Sequence, residues 1–298
     1  MSDSPVPEWA SFFSPERFAI FVERLERALK NASVRYELDL ETGSWKELGD
    51  TSGKVYGIVN LAQICNQMPM DDWDSEIEPF LDRIRGAHSE AEVPASFEEV
   101  RPILRVRLFA AESVDPSMLV TKQVAPGFIT CLAVDLPDKI LTVSPERAAG
   151  YGVPLEELFD IGFTNVMLTS GVERREFQVS DEAEIVSLSS DDYFVASIAL
   201  VLTKFLGIEP PYGRLVAVPA RHQSLSVSLT KASALGALGP LIHATRGMFR
   251  DGPGSISPYV YWVLGDRWER LEVEIGEEGV GVEGPNVFIE EVLRPLLE

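Results

Sequence analysis

Few residues in this chain combine the right types at the right spacing for chemistry. Arg221-His222 follow an apolar stretch that ends in a proline, LVAVPA over 215–220. They would offer a cation beside a titratable ring to an anionic ligand. The plain alternative is a solvated β-turn, or an arginine paired with one of many carboxylates. Asp191-Asp192 could supply a general base or ligands for a hard metal. Directly before an apolar run, the same pair reads as a helix N-cap with an acidic first turn. Asp191, Asp192, Arg221 and His222 are therefore the one enzyme-like set, provided that they converge. Cys65 and Cys131 stand among apolar residues and read as small core side chains, with no local cation to prime either thiol. A three-histidine metal site would consume His88, His222 and His243, all the histidines there are. His88 falls in a linker and His243 in mid-helix, so no metal and no cofactor is expected. A G-x-x-x-x-G-K-[ST] phosphate loop, a G-x-G-x-x-G turn, H-E-x-x-H, a G-x-S-x-G elbow and C-x-x-C are all missing from the sequence.

A second set of residues would bind rather than react. Tyr259, Tyr261 and Trp262, with Trp268 close behind, form an aromatic strand with Tyr259 and Tyr261 on one face and Val260 and Trp262 on the other. One face must be core and the other could line a groove, although core on both sides fits as well. Charge is also uneven. The chain holds 26 Lys+Arg against 47 Asp+Glu, a net charge of −21. Residues 71–99 carry ten acidic and two basic side chains, and residues 269–298 carry nine and two, or −8 and −7 of that total. Glu272, Glu274, Glu277 and Glu278 belong to the second concentration and suit docking against a basic protein. With a pI of about 4.6 and no basic stripe, binding to a nucleic-acid backbone is excluded. No apolar run approaches the ~18–20 residues of a membrane span. The N-terminal segment lacks the basic and apolar regions of a secretory signal, so a cytoplasmic location is expected.

These residues need elements to position them. Ser14-Pro15-Glu16 caps a helix with Phe18, Phe21, Val22, Leu25 and Leu29 on one face, and with Glu23–Arg27 and Glu26–Lys30 pairs outside. The strict alternation over 34–40 predicts a strand, which Glu41-Thr42-Gly43 turns into a hairpin with 44–48. A short strand near 55–59, a helix capped by Asn60 and stopped by Pro69, and a helix carrying Ile77, Phe80, Leu81 and Ile84 follow. The aperiodic stretch 87–97 reads as a linker between an N-terminal part, 1–86, and a main domain, 98–298. In the main domain Leu104, Val106 and Leu108 alternate with Arg105 and Arg107, and 128–134 predicts a central strand. Helices are predicted over 155–166, 192–206 and 232–249, and strands over 172–179, 184–188, 215–218, 225–229, 260–264 and 268–275. Hairpins outnumber strand–helix–strand units, so the fold class is α+β with mostly antiparallel sheets.

Several short motifs carry a resemblance. They are the strand FITCLAVD over 128–135, the run GVPLEELF over 152–159, Asp191-Asp192-Tyr193 with Ala196-Ser197, LVAVPAR over 215–221, Ser257-Pro258-Tyr259 before Trp268, and Asn60-Leu61. Over roughly 55–275 the chain resembles the YtpQ-like family of uncharacterised bacterial proteins. The resemblance implies an α+β fold and a bacterial cytosolic setting without implying a reaction. Where that family carries Arg-Asp after the proline, this chain has Arg221-His222. The expectation is a non-catalytic, acidic interaction protein of docking or inhibitory, immunity type. Its partner is another protein with a basic surface. The alternative is an enzyme built on Asp191, Asp192, Arg221 and His222.

Overall fold

The computed structural model describes residues 6–49, 55–86, 94, 96–137, 140–180, 183–276 and 279–298. The chain divides into two compact units, residues 1–92 with 251–253 and residues 93–250 with 254–298. Most of the expected linker over 87–97 lies outside the described residues.

In the smaller unit, Ser14 Oγ accepts the Arg17 amide at 3.3 Å and opens α1 (Pro15–Asn31). The face bearing Phe18, Phe21, Leu25 and Leu29 is buried, as the spacing predicts. Phe13 packs on Phe21 and on Trp73, each with ring centres 5.6 Å apart, and ties the entry of the chain to the core. Strands β1 (Tyr36–Asp39), β2 (Ser44–Glu47) and β3 (Tyr56–Gly57) form an antiparallel sheet. Helices α2 (Val59–Asn66) and α3 (Asp74–Gly86) complete the unit. Two expectations are corrected here. α2 begins one residue before Asn60, with Ile58 at its cap and no side-chain bond there. Arg27 reaches Asp74 at 3.2 Å rather than Glu23, because a carboxylate across the helix pair offers a second oxygen at 3.3 Å.

The larger unit is α+β. After a helical turn, α4 (Phe97–Val100), comes a four-stranded antiparallel sheet. It is made of β4 (Leu104–Ala110), β5 (Thr121–Ala125), β6 (Phe128–Asp135) and β7 (Ile140–Thr142), with β6 at the centre. β6 is apolar without alternation because it is buried on both faces. Then follow α5 (Pro145–Gly150), opened by Ser144 as α1 is by Ser14, and α6 (Leu155–Val166). The second sheet holds six strands: β8 (Glu173–Ser180), β9 (Ala183–Ser189), β10 (Arg214–Ala220), β11 (Gln223–Ser228), β12 (Val260–Leu264) and β13 (Arg267–Arg270). Their order is β13-β12-β10-β11-β9-β8 and every pairing is antiparallel.

Each face of this sheet closes a different core. Val216, Val218 and Tyr261 join Val106, Leu132, Phe159 and Ile198 on one side. Leu215, Ala217, Val260 and Trp262 join Leu241 and Phe288 on the other. Two buried faces explain why β10 reads as an unbroken apolar run.

The helix expected over 192–206 is corrected. Residues Val195–Val201 wind as a 3-10 helix, and only α7 (Leu202–Leu206) is α-helical, ended by Gly207 at φ 70°. The stretch Val195–Ala199 is buried and carries β-branched Val195 and Ile198, so it has neither the wet face nor the propensity of an amphipathic α-helix. The single strand expected over 268–275 is two. The chain leaves the sheet at buried Leu271, and β14 (Glu272–Gly276) pairs instead with β15 (Gly279–Gly284) in a separate ribbon. α8 (Leu238–Asp251) and a helical run over 286–297 cover the second core. That ribbon partner and the final helical run carry no sequence expectation. Among the described residues no helix is long and apolar enough to cross a membrane.

Candidate functional site

Arg221 and His222 are the two-residue turn between β10 and β11. The pairing slips by one residue between Ala217 and Ala220, so the bulge accommodates Pro219, which has no amide hydrogen to give. At the tip, Arg221 Nε donates to His222 Nε2 at 2.8 Å. A guanidinium only donates, so Nε2 carries the lone pair and Nδ1 carries the proton. Nδ1–H then donates to the Ser190 carbonyl at 3.1 Å. Burial first, and the Arg221 charge second, hold the imidazole below its usual range, which keeps the ring neutral. Both ring nitrogens are engaged, so His222 is a fixed wedge and not an available base.

The Ser190 carbonyl belongs to the segment that carries the two aspartates. Ser190 Oγ accepts the Asp192 amide at 3.1 Å, and Asp192 Oδ1 accepts the Phe194 amide at 2.8 Å. This local turn is what Asp192 does in place of capping an α-helix. It sends Phe194 into the core and leaves Tyr193 half-exposed. Tyr193 stands beside the hairpin tip, with its ring centre 5.4 Å from that of His222. The structure thus brings Asp191, Asp192, Arg221 and His222 into one neighbourhood.

Two further members come from β4. The guanidinium carbon of Arg107 lies 5.5 Å from the Tyr193 ring centre, and that of Arg221 lies 5.0 Å from it. Arg107 also covers Phe109 at 4.8 Å. Arg105, two residues earlier, pairs with Asp135 at 3.1 Å and covers Phe194. In the sequence, Arg105 and Arg107 lie on the polar face of an alternating strand, with nothing that connects them to Tyr193. Only the alternation with Leu104, Val106 and Leu108 could have flagged them.

The remaining expected binding residues separate. Tyr261 is 1 % exposed and Trp262 is 0 % exposed. Tyr261 packs on Phe128 at 4.6 Å in one core, and Trp262 packs on Phe288 at 5.6 Å in the other. The expectation that they form a binding surface is corrected, because both faces of β12 are core. Tyr259 alone is exposed, with Arg270 over its ring at 4.7 Å. Glu272 and Glu274 are exposed on β14, while Val273, Val280 and Val282 turn inward against the second core. Glu277 and Glu278 lie outside the described residues.

Cys65 and Cys131 are buried, and desolvation pushes their thiols up to about 12 and about 11. Among the described residues no three His, Cys, Asp or Glu side chains are grouped to hold a metal. A cleft of about 690 Å3 opens elsewhere in the larger unit, lined by Lys122, Lys204, Asp160, Asp266, Phe163 and Trp268. Its size suits a small molecule, but two lysines against two aspartates give it no preference for either sign of charge. Comparison with known proteins finds no matching family model, no matching curated protein and no matching solved structure.

Proposed function

We propose that this chain is a non-catalytic recognition protein of the bacterial cytosol, of docking or inhibitory, immunity type. It engages a partner protein with a basic surface. The observation that carries the reading is the β14–β15 ribbon. Its valines pack inward, which fixes Glu272 and Glu274 outward, and neither carboxylate forms an ion pair among the described residues. The contrast lies close by in sequence, where Arg267 pairs with Glu291 and Arg294 with Glu290. Neutralised carboxylates project little field, whereas unpaired ones on a held ribbon attract a basic surface over several ångströms of water. The enzyme reading built on Asp191, Asp192, Arg221 and His222 loses the imidazole as a base, because the His222 lone pair already accepts from Arg221. The YtpQ-like resemblance supports the cytosolic setting.

The test is retention of a partner recovered from a bacterial extract at low salt. The double variant Glu272→Gln and Glu274→Gln should retain several-fold less of it at an unchanged melting temperature, since exposed charges contribute little to stability. Equal retention by both proteins would overturn the proposal.

A further inference from the structure

We infer that the cleft between α6 and the β12–β13 hairpin of the larger unit binds a short peptide with free ends, as a zwitterion. The cleft holds about 690 Å3, within the range of sites that bury most of a small ligand, and it shares no residue with the ribbon. Segments distant in sequence line it. β5 brings Lys122, α6 brings Asp160 and Phe163, α7 brings Lys204, and the hairpin brings Asp266 and Trp268. None of the four charged side chains forms an ion pair or a side-chain hydrogen bond among the described residues. Two cations and two anions thus line one cleft without neutralising one another. Pairing is available close by, since Arg267, next to Asp266, pairs with Glu291 at 3.0 Å. A ligand of one sign is attracted by one set and repelled by the other. A ligand with a charge of each sign at the two ends of an apolar body gains from both sets. A short peptide has that form, and each residue spaces its ends by about 3.3–3.6 Å.

The walls are anchored in advance. Trp268 is half-buried, with its ring centre 6.1 Å from that of Phe128 and 5.9 Å from that of Tyr261. Phe163 packs against the same core. Two such faces offer an apolar ligand body a large contact area at little cost in side-chain freedom. The Lys122 ammonium lies 5.7 Å from the Phe159 ring centre and 5.9 Å from that of Phe163, a cation–π placement that holds it against α6. Asp266 stands in the hairpin turn, where the Gly265 amide donates to the Glu209 carboxylate at 3.0 Å. Groups held before the ligand arrives lower the entropy lost on binding.

The experiment is a calorimetric titration of the full chain with the dipeptide phenylalanyl-leucine, its N-acetyl form and its C-terminal amide, at roughly pH 6.5, where the free amino end is charged. The free dipeptide should saturate, and each capped form should bind several-fold more weakly. The Lys122→Gln, Lys204→Gln pair should lose the distinction between the free dipeptide and the amide. The Asp160→Asn, Asp266→Asn pair should lose the distinction between the free and acetylated forms. The Glu272→Gln, Glu274→Gln pair should behave as wild type, which separates this site from the ribbon. These charges are exposed, so melting temperatures should stay unchanged; if either cleft variant does not fold, the three peptides on the wild type decide. No saturation by the free dipeptide, a cap tolerated without loss at either end, or a distinction that survives in its matching variant would overturn the inference.

Discussion

His222 shows how a reactive residue type is disarmed by its neighbours. Its imidazole is held neutral by burial and by Arg221, whereas in the unfolded chain it protonates at about 6.5. Below that pH the unfolded chain therefore binds the extra proton more readily, and stability present at neutral pH is lost as pH falls. Urea midpoints should drop between pH 7.5 and 5.5, and His222→Gln should make that drop shallower; an identical drop in both proteins would contradict the assignment. The thiols make a second residue-scale prediction. With Cys65 and Cys131 pushed up to about 12 and about 11, the folded protein should resist alkylation at pH 8 and react at both positions once unfolded. Rapid labelling of the native protein would mean that one thiol reaches solvent. The site was half legible in the sequence. Arg221-His222 announced a turn by following an apolar run and a proline, and Asp191-Asp192 announced a local backbone cap. Tyr193 and Arg107 gave no such sign, because their roles come from strands and turns distant in sequence that tertiary packing brings together.

At the scale of elements, the free edge of β4 is sealed from the side. The buried Ser197 hydroxyl accepts the Leu108 amide at 3.0 Å, a bond that no neighbouring strand supplies. Ser197→Ala leaves that amide unsatisfied and should cost about 1–3 kcal/mol, read from denaturant titration. Leu202→Ala, at the start of α7 in the core, should cost about 2–5 kcal/mol; a loss under about 1 kcal/mol would place the centre of the fold elsewhere. Gly213 turns the chain into β10 at φ +77°, and a Cβ there would stand 2.3 Å from the Val263 carbonyl. Gly213→Ala should therefore lose about 1–3 kcal/mol from the backbone conformation alone, with the steric overlap added. Strands and helices with a clear period, such as β4 and α1, could be read directly from the sequence. The 3-10 run over 195–201 could not, since a stretch buried on every side has no periodicity to declare its winding. The β14–β15 ribbon was hidden because only buried Leu271 marks where the chain leaves one sheet for the next.

At the scale of the whole molecule, the charge of −21 is arranged rather than spread, with cations gathered at Tyr193 and carboxylates presented on the ribbon. No described group of ligands is placed to share a metal, so dialysis against a chelator should leave the melting temperature unchanged. A fall of several degrees would reveal a structural ion. If Glu272 and Glu274 steer a basic partner, as proposed, they act on the rate of association through a field screened over about 8–10 Å at ordinary salt. The most direct measurement is the association rate constant of the recovered partner at roughly 50 and 300 mM salt, for the wild type and for the Glu272→Gln, Glu274→Gln variant. Wild-type association should slow several-fold at the higher salt, and the variant should start slower and respond less. Rates that are equal at both salts and indifferent to the two substitutions would contradict the proposed steering.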